Sequence, residues 1–182
     1  NKGFLTKENE HSWATQVGYT TERYSISGIV NMKYNGWKDE YFSTTNGFNR
    51  SNGWGPGSDS TNIGLRAWLR PEEDGTVMPS ISVGYDVSDV QYGADTVDQT
   101  DMYFVGLGWA DIIQPDDKIG VAFGQPQTRE DETTDPFAWE AYYAFKPNDS
   151  MEIRPAIFGG SEVEDPTDDD IFGAVVTTSF KF

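Results

Sequence analysis

Apolar and polar residues alternate with a period of two along almost the whole chain, the spacing of a strand with one apolar face. From Ser12 to Thr20, Trp13, Thr15, Val17 and Tyr19 share a face opposite Ala14, Gln16 and Gly18. From Tyr24 to Tyr34 the apolar set is Tyr24, Ile26, Val30, Met32 and Tyr34, opposite Ser25, Ser27, Asn31 and Lys33. Thr61, Ile63, Leu65, Ala67 and Leu69 face away from Asn62, Arg66 and Arg70, and Val77, Pro79, Ile81, Val83, Tyr85 and Val87 away from Ser80, Ser82 and Asp86. The scheme repeats in Tyr103–Trp109, Ile119–Phe123, Phe137–Phe145, Met151–Ile157 and Phe172–Phe182. The pattern predicts nine strands of about ten residues, and helix periodicity is nearly absent.

The predicted connections alternate in length. Short turns are expected at Thr21–Arg23, Pro71–Thr76, Asp111–Asp117 and Lys146–Ser150. Longer polar loops are expected at Asn35–Asp59, Ser88–Gln99, Pro126–Asp135 and Gly160–Asp170. Such sorting belongs to an antiparallel up-and-down meander with two unlike ends, and a Greek-key sandwich gives no reason for it.

A tilted strand of about ten residues rises roughly 25 Å, the apolar thickness of an outer membrane. In hydrocarbon every backbone N–H and C=O needs a partner, and strands provide that only in a closed barrel. The ends of the apolar faces are aromatic at both levels. Tyr19, Tyr24, Trp109, Phe145 and Phe180 lie beside the short turns; Trp13, Tyr34, Tyr85, Tyr103, Phe123, Phe137 and Phe172 lie beside the long loops. Two such rings are the girdles found where amphipathic side chains meet headgroups. The same residues could instead fill the core of a soluble β-sandwich, but a sandwich has no reason to place them at strand ends. The small and polar residues of the opposite face suit a wet lumen, since a dry core would leave them unpaired. The fold expected is an all-β transmembrane barrel.

Composition narrows the functions. With 30 Asp and Glu against 13 Lys and Arg, the net charge of −17 repels phosphates and argues against a nucleic-acid partner. The absence of cysteine removes disulfides, thiolate nucleophiles and thiolate metal sites. Aromatic residues make up 14% of a chain only 36% hydrophobic, an odd pairing for a soluble core. No stretch approaches the roughly 18 apolar residues of a membrane-spanning helix. The chain begins at Asn1 with neither a basic nor an apolar leader segment.

The last strand ends Thr177-Thr178-Ser179-Phe180-Lys181-Phe182, alternating and closed by Phe, and so resembles the signal read by the barrel-assembly machinery of bacterial outer membranes. From Lys118 to Phe182 the chain resembles the end of cyanobacterial outer-membrane porins of the carbohydrate-selective (OprB-type) porin family. The likeness is carried by Ile119-Gly120-Val121-Ala122-Phe123-Gly124-Gln125-Pro126, by Ala138-Trp139-Glu140-Ala141-Tyr142-Tyr143, by Asp170-Ile171-Phe172-Gly173-Ala174 and by the terminal Phe-Lys-Phe, with Tyr85-Asp86-Val87 a looser match. The resemblance implies a barrel of about 16 strands, within the even-numbered range of bacterial barrels. It also implies a preceding S-layer-homology segment that binds the cell wall, and sugar passage. The whole of 1–182 then reads as the C-terminal portion of one porin domain, without the N-terminal strands or that segment. Strand nine ends at the periplasmic side, so strand one also runs inward, and at least one outward strand is expected before it.

Candidate chemistry is sparse. His11, the one histidine, adjoins Ser12 and lies near Glu8 and Glu10, but no oriented Ser-His-acid set is apparent, so an outer-membrane enzyme is the weaker reading and no catalytic residue is assigned. Six acids crowd Glu162–Asp170 without the spacing of a calcium loop, which favours a solvated loop over a metal site. The aromatic-rich Asn35–Asp59 loop suits a fold over the mouth, a subunit contact or an outer position equally. The informative charges are Lys33, Arg66, Asp86, Glu140 and Arg154, all expected to line the lumen. Arg66 and Arg154 fall near mid-height and the other three nearer the long-loop mouth. Opposed charges across a wet constriction tune ion preference; equally, they pair and stiffen the wall. The function expected is passive diffusion of ions and small polar solutes, carbohydrates included, through a multi-pass barrel in the outer membrane. Membrane lipid and lipopolysaccharide are the partners, with a homo-oligomer such as a trimer open and no cofactor implied. A soluble carbohydrate-binding β-sandwich is the other alternative.

Overall fold

The computed structural model describes residues 9–35, 58–92, 95–129, 136–162 and 170–181. These form nine strands: β1 (His11–Thr20), β2 (Tyr24–Tyr34), β3 (Ser58–Leu69), β4 (Ser80–Tyr92), β5 (Asp95–Ala110), β6 (Lys118–Arg129), β7 (Phe137–Asn148), β8 (Met151–Ser161) and β9 (Ile171–Phe180). They make a single antiparallel sheet in chain order, each strand beside its sequence neighbours. The up-and-down meander is therefore as the alternation predicts. The sheet is not closed: β1 and β9 are its two edges.

Sheet register carries the single-strand alternation into two continuous surfaces. Val17 pairs with Gly28, Gly28 with Leu65, Leu65 with Tyr85, Tyr85 with Tyr103 and Tyr103 with Gln125, all on one face. Side chains alternate along a strand, so the predicted apolar sets of all nine strands fall together on that face. Among the described residues the buried aliphatic side chains are Val90, Ala144 and Ala156, and none is large and aromatic. Val17, Ile26, Leu65 and Val176 are instead 53–73% exposed. No second layer of described residues covers the apolar face.

The structure corrects several predicted boundaries. Val77 and Pro79 lie outside β4, in the connection that follows β3. The expected loop Ser88–Gln99 is mostly strand: β4 and β5 stay paired as far as Tyr92 and Asp95, with a bulge at Val90/Gln91. Likewise β6 runs through Pro126 to Arg129, with a second bulge at Asp101/Tyr103, the kind of irregularity at which a strand accommodates proline. These extensions were missed because beyond the apolar belt both faces are polar, which erases the period-two signal. Most of the Asn35–Asp59 and Glu162–Asp170 segments lie outside the described residues.

The Asp111–Asp117 turn is built by its last residue. Asp117 is 1% exposed, and its carboxylate accepts the backbone N–H groups of Ile112, Ile113 and Gln114, each at 3.0 Å, and the Tyr143 hydroxyl at 3.2 Å. Burial pushes this carboxyl up, but the three amides and the hydroxyl outweigh it and leave it below the usual carboxylate range. A depressed folded-state value means that the turn's stabilisation is complete above about pH 4 and is lost as pH falls through the lower folded value. Hydrogen-exchange protection at Ile112–Gln114 is expected to drop in that acid window, and to be low and nearly flat with pH in Asp117→Asn. A wild-type protection factor that stays constant on acidification contradicts the assignment.

Candidate functional site: the polar face of the sheet

On the face opposite the belt, Arg66 of β3 stands between Ser27 of β2 and Gly84 of β4, and Gly84 in turn pairs with Phe104 of β5. A Cβ at Gly84 would meet the Phe104 ring, so the glycine is what lets that ring lean across β4. The Arg66 guanidinium lies over the same ring, its Cζ 5.5 Å from the centroid. It also donates to both oxygens of Asp86, Nη1 to Oδ1 at 2.6 Å and Nη2 to Oδ2 at 2.7 Å. Asp86 is fully buried beneath a guanidinium that is itself 39% exposed. Charge-assisted, bidentate and stacked, this is the strongest ion pair among the described residues.

A related arrangement stands on β6–β8. Gly120 of β6 pairs with Tyr142 of β7, whose ring occupies the space a Cβ at Gly120 would need. Tyr142 pairs with Ala156 of β8, and Arg154, two residues along that strand, reaches diagonally to place its Cζ 4.8 Å from the ring centroid. Its Nη2 lies 3.4 Å from Glu152, an exposed contact of small energetic weight. Phe158 covers Gly173 in the same way. Cross-strand aromatics over glycines fill gaps in a twisted sheet and pin its register.

Towards the long-connection ends the polar face carries a row of amides and hydroxyls. Asn62 Nδ2 donates to Asn31 Oδ1 at 3.2 Å, and Asn31 Nδ2 to Ser12 Oγ at 2.9 Å. Asn31, Asn62 and Ser88 are 0–2% exposed.

The five charges expected to line the lumen all fall on this face but do not form one cluster. Arg66 and Asp86 meet, two residues apart in height and diagonal across β3 and β4. Arg154 stands five strands away from Arg66. Glu140 is exposed between Ala122 and Phe158. Lys33 is 7% exposed near the end of β2. Of the two readings of these charges, pairing describes Arg66 and Asp86. His11 stacks on Tyr34 with ring centroids 4.5 Å apart and bonds the Asn9 carbonyl through Nδ1, while Ser12 is engaged by Asn31. Among the described residues no cluster of three or more His, Cys, Asp or Glu is arranged to hold a metal.

Phe104 and Trp68 were missed as polar-face residues. Trp68 lies under Arg70, whose Cζ is 4.6 Å from the ring centroid. An aromatic in a polar row looks like a break in the pattern, and only the cross-strand register reveals the glycine or guanidinium it meets.

The apolar face ends in paired rings. At the short-turn level Tyr19 meets Tyr24 at 6.0 Å and Tyr143 meets Phe145 at 5.6 Å. At the other level Phe123 meets Phe137 at 6.4 Å and Trp139 meets Phe172 at 6.2 Å. Comparison with known protein families, curated proteins and solved structures finds no match to this chain.

Proposed function

We propose that this chain is part of the wall of an outer-membrane β-barrel porin, a water-filled channel for passive diffusion of ions and small polar solutes, carbohydrates among them. The observation that carries this reading is the absence of a conventional core. Large aliphatic side chains stand exposed on one continuous face of a nine-stranded meander, between two levels of paired aromatic rings, while charged groups occupy the other face. In water such a surface is a liability far beyond an ordinary apolar patch; in hydrocarbon it is the required exterior. A soluble sandwich would bury Val17, Ile26 and Leu65 under a second sheet. The resemblance of Lys118–Phe182 to the carbohydrate-selective porins supports the same reading.

The two edges bear on how the barrel closes. With an odd number of antiparallel strands, β1 and β9 run in the same direction, so joining them directly makes a parallel pair. An odd number of further strands between them restores antiparallel pairing all round and satisfies the edge N–H and C=O groups in lipid. The seven implied by a barrel of about 16 meet that parity.

The test is planar-bilayer conductance of the intact protein, extracted only with detergent. Stepwise channel openings are expected, and Asp86→Asn should shift the reversal potential in a salt gradient towards anions by releasing the Arg66 charge. One charge about 10 Å from the pore axis acts on a passing ion with roughly 0.4 kcal/mol in water, about twofold in local ion concentration. Solubility without detergent, or bilayers that stay silent, contradicts the function.

A further inference from the structure

Among the described residues the apolar face continues beyond its aromatic level at one place, the pair of connections β3–β4 (residues 70–79) and β5–β6 (residues 111–117). Trp109, Ile119 and Tyr143 form a row on the apolar face across β5, β6 and β7. The polar tips of the two aromatics in that row both engage these connections. Trp109 Nε1 donates to the Val77 carbonyl at 3.0 Å, and the Tyr143 hydroxyl donates to Asp117, which holds the amides of Ile112 and Ile113. The β3–β4 connection is also tied to the end of β5, where the other connection begins, Gly75 N–H donating to Ala110 O at 2.9 Å with Gly75 at φ +75°. A fixed scaffold thus presents Val77 at 93%, Ile113 at 69% and Ile112 at 39% exposure. Met78, next in sequence, lines a cavity of about 400 Å³ whose walls include Arg70, Ser80, Trp109 and Tyr142. The remaining short turns, Thr21–Arg23 and Asp149–Ser150, carry no aliphatic side chain.

We infer that Val77, Ile112 and Ile113 form a lipid anchor at the short-turn end of the β3–β7 sector, inserted at the boundary between headgroups and acyl chains. Three observations specify lipid as the occupant. The patch is continuous with the apolar face through Trp109 and Tyr143, whose ring bodies face outward while their N–H and O–H point to the turns, the orientation of interfacial aromatics. The turn backbone at Ile112–Gln114 is satisfied internally by Asp117, so the apolar side chains can leave water without stranding amides. The same two connections carry Glu73, Asp74, Asp111 and Asp116, the last 3.7 Å from Lys146, an acidic balance that disfavours an anionic surface and suits zwitterionic headgroups. The inference rests on the membrane-barrel reading.

The test uses the intact protein in phosphatidylcholine vesicles, with single cysteines spin-labelled at Val77 and Ile113, at Val83 and Leu107 as belt references, and at Asp74 as a water reference. Power saturation with oxygen and with a water-soluble nickel chelate reports depth. The expected ratio of oxygen to nickel collision rates at Val77 and Ile113 is several-fold above that at Asp74 and approaches that at Leu107. Trp109→Phe, which keeps the apolar ring and removes the N–H, should lower the ratio at Val77 and leave Val83 unchanged. If Val77 and Ile113 behave like Asp74 while Val83 and Leu107 remain lipid-exposed, the anchor is overturned and the barrel stands. If Val83 and Leu107 also behave like Asp74, the barrel reading itself fails.

Discussion

Replacing Arg66 with Leu should destabilise the protein by about 3 kcal/mol, whereas Asp86→Asn should cost only about 1 kcal/mol, although both changes break the same ion pair. The asymmetry follows from exposure. Asp86 is fully buried and relies on the guanidinium for both of its oxygens, so Arg66→Leu leaves a charged carboxylate with neither water nor a cation. Arg66 is partly exposed and keeps water, the Phe104 ring and the carbonyls of Leu65 and Tyr85 when the carboxylate is neutralised. The double variant Arg66→Leu/Asp86→Leu should recover much of the loss, since exchanging a buried pair for apolar groups is often neutral. Urea unfolding in detergent micelles, followed by the mobility change on boiling, measures all three. Equal costs for the two single variants would show that Asp86 reaches solvent or another cation.

Leu107→Arg and Ala122→Arg should differ more sharply still. Ala122 pairs with Gly106, the residue next to Leu107, so the two sites lie at nearly one height on opposite faces. Leu107 stands between Ile81 and Val121 in the middle of the belt. A guanidinium there faces the bilayer midplane and costs about 2–4 kcal/mol, enough to reduce the yield of assembled, heat-modifiable protein severely. At Ala122 the same group enters the polar face opposite Glu140, where it finds water and a carboxylate. Ala122→Arg is therefore expected to assemble normally. Equal losses at the two sites would mean that the polar face is as dry as the belt, which contradicts a water-filled lumen.

The strands and the identity of their faces were legible in the sequence wherever one side met an apolar environment and the other did not. Tyr24–Tyr34 was bounded to the residue because belt and aromatic ends coincide with the strand ends. Ser88–Gln99 reads as loop because Asp89, Asp95 and Asp98 break the alternation, though their backbones remain paired. The short-turn end misled in the opposite direction. Val77 and Pro79 continue the period of β4 but belong to the connection that Trp109 and Gly75 tie to β5. At the candidate site the charges were visible one by one, whereas their partnerships depend on sheet register. That Arg66 reaches Asp86, and that Gly84 makes room for Phe104, follow from hairpin pairing, which turn length sets and side-chain period does not.

The central claim is that one face of this sheet meets lipid and the other meets water. Its most direct test is single-cysteine labelling of the intact protein in sealed bilayers with a membrane-impermeant, charged thiol reagent, made accessible to both sides of the membrane. Cysteines at Tyr19, Val83, Leu107, Tyr143 and Val176 sample the belt face of five strands. Gln16, Ala122, Glu140, Arg154 and Thr177 sample the exposed positions of the polar face; Asn62, expected from the sequence to meet water, is omitted because it is only 2% exposed in its bond to Asn31. Rapid reaction is expected at the second set and none at the first until detergent or denaturant is added. Equal labelling of the two sets in intact bilayers would contradict it.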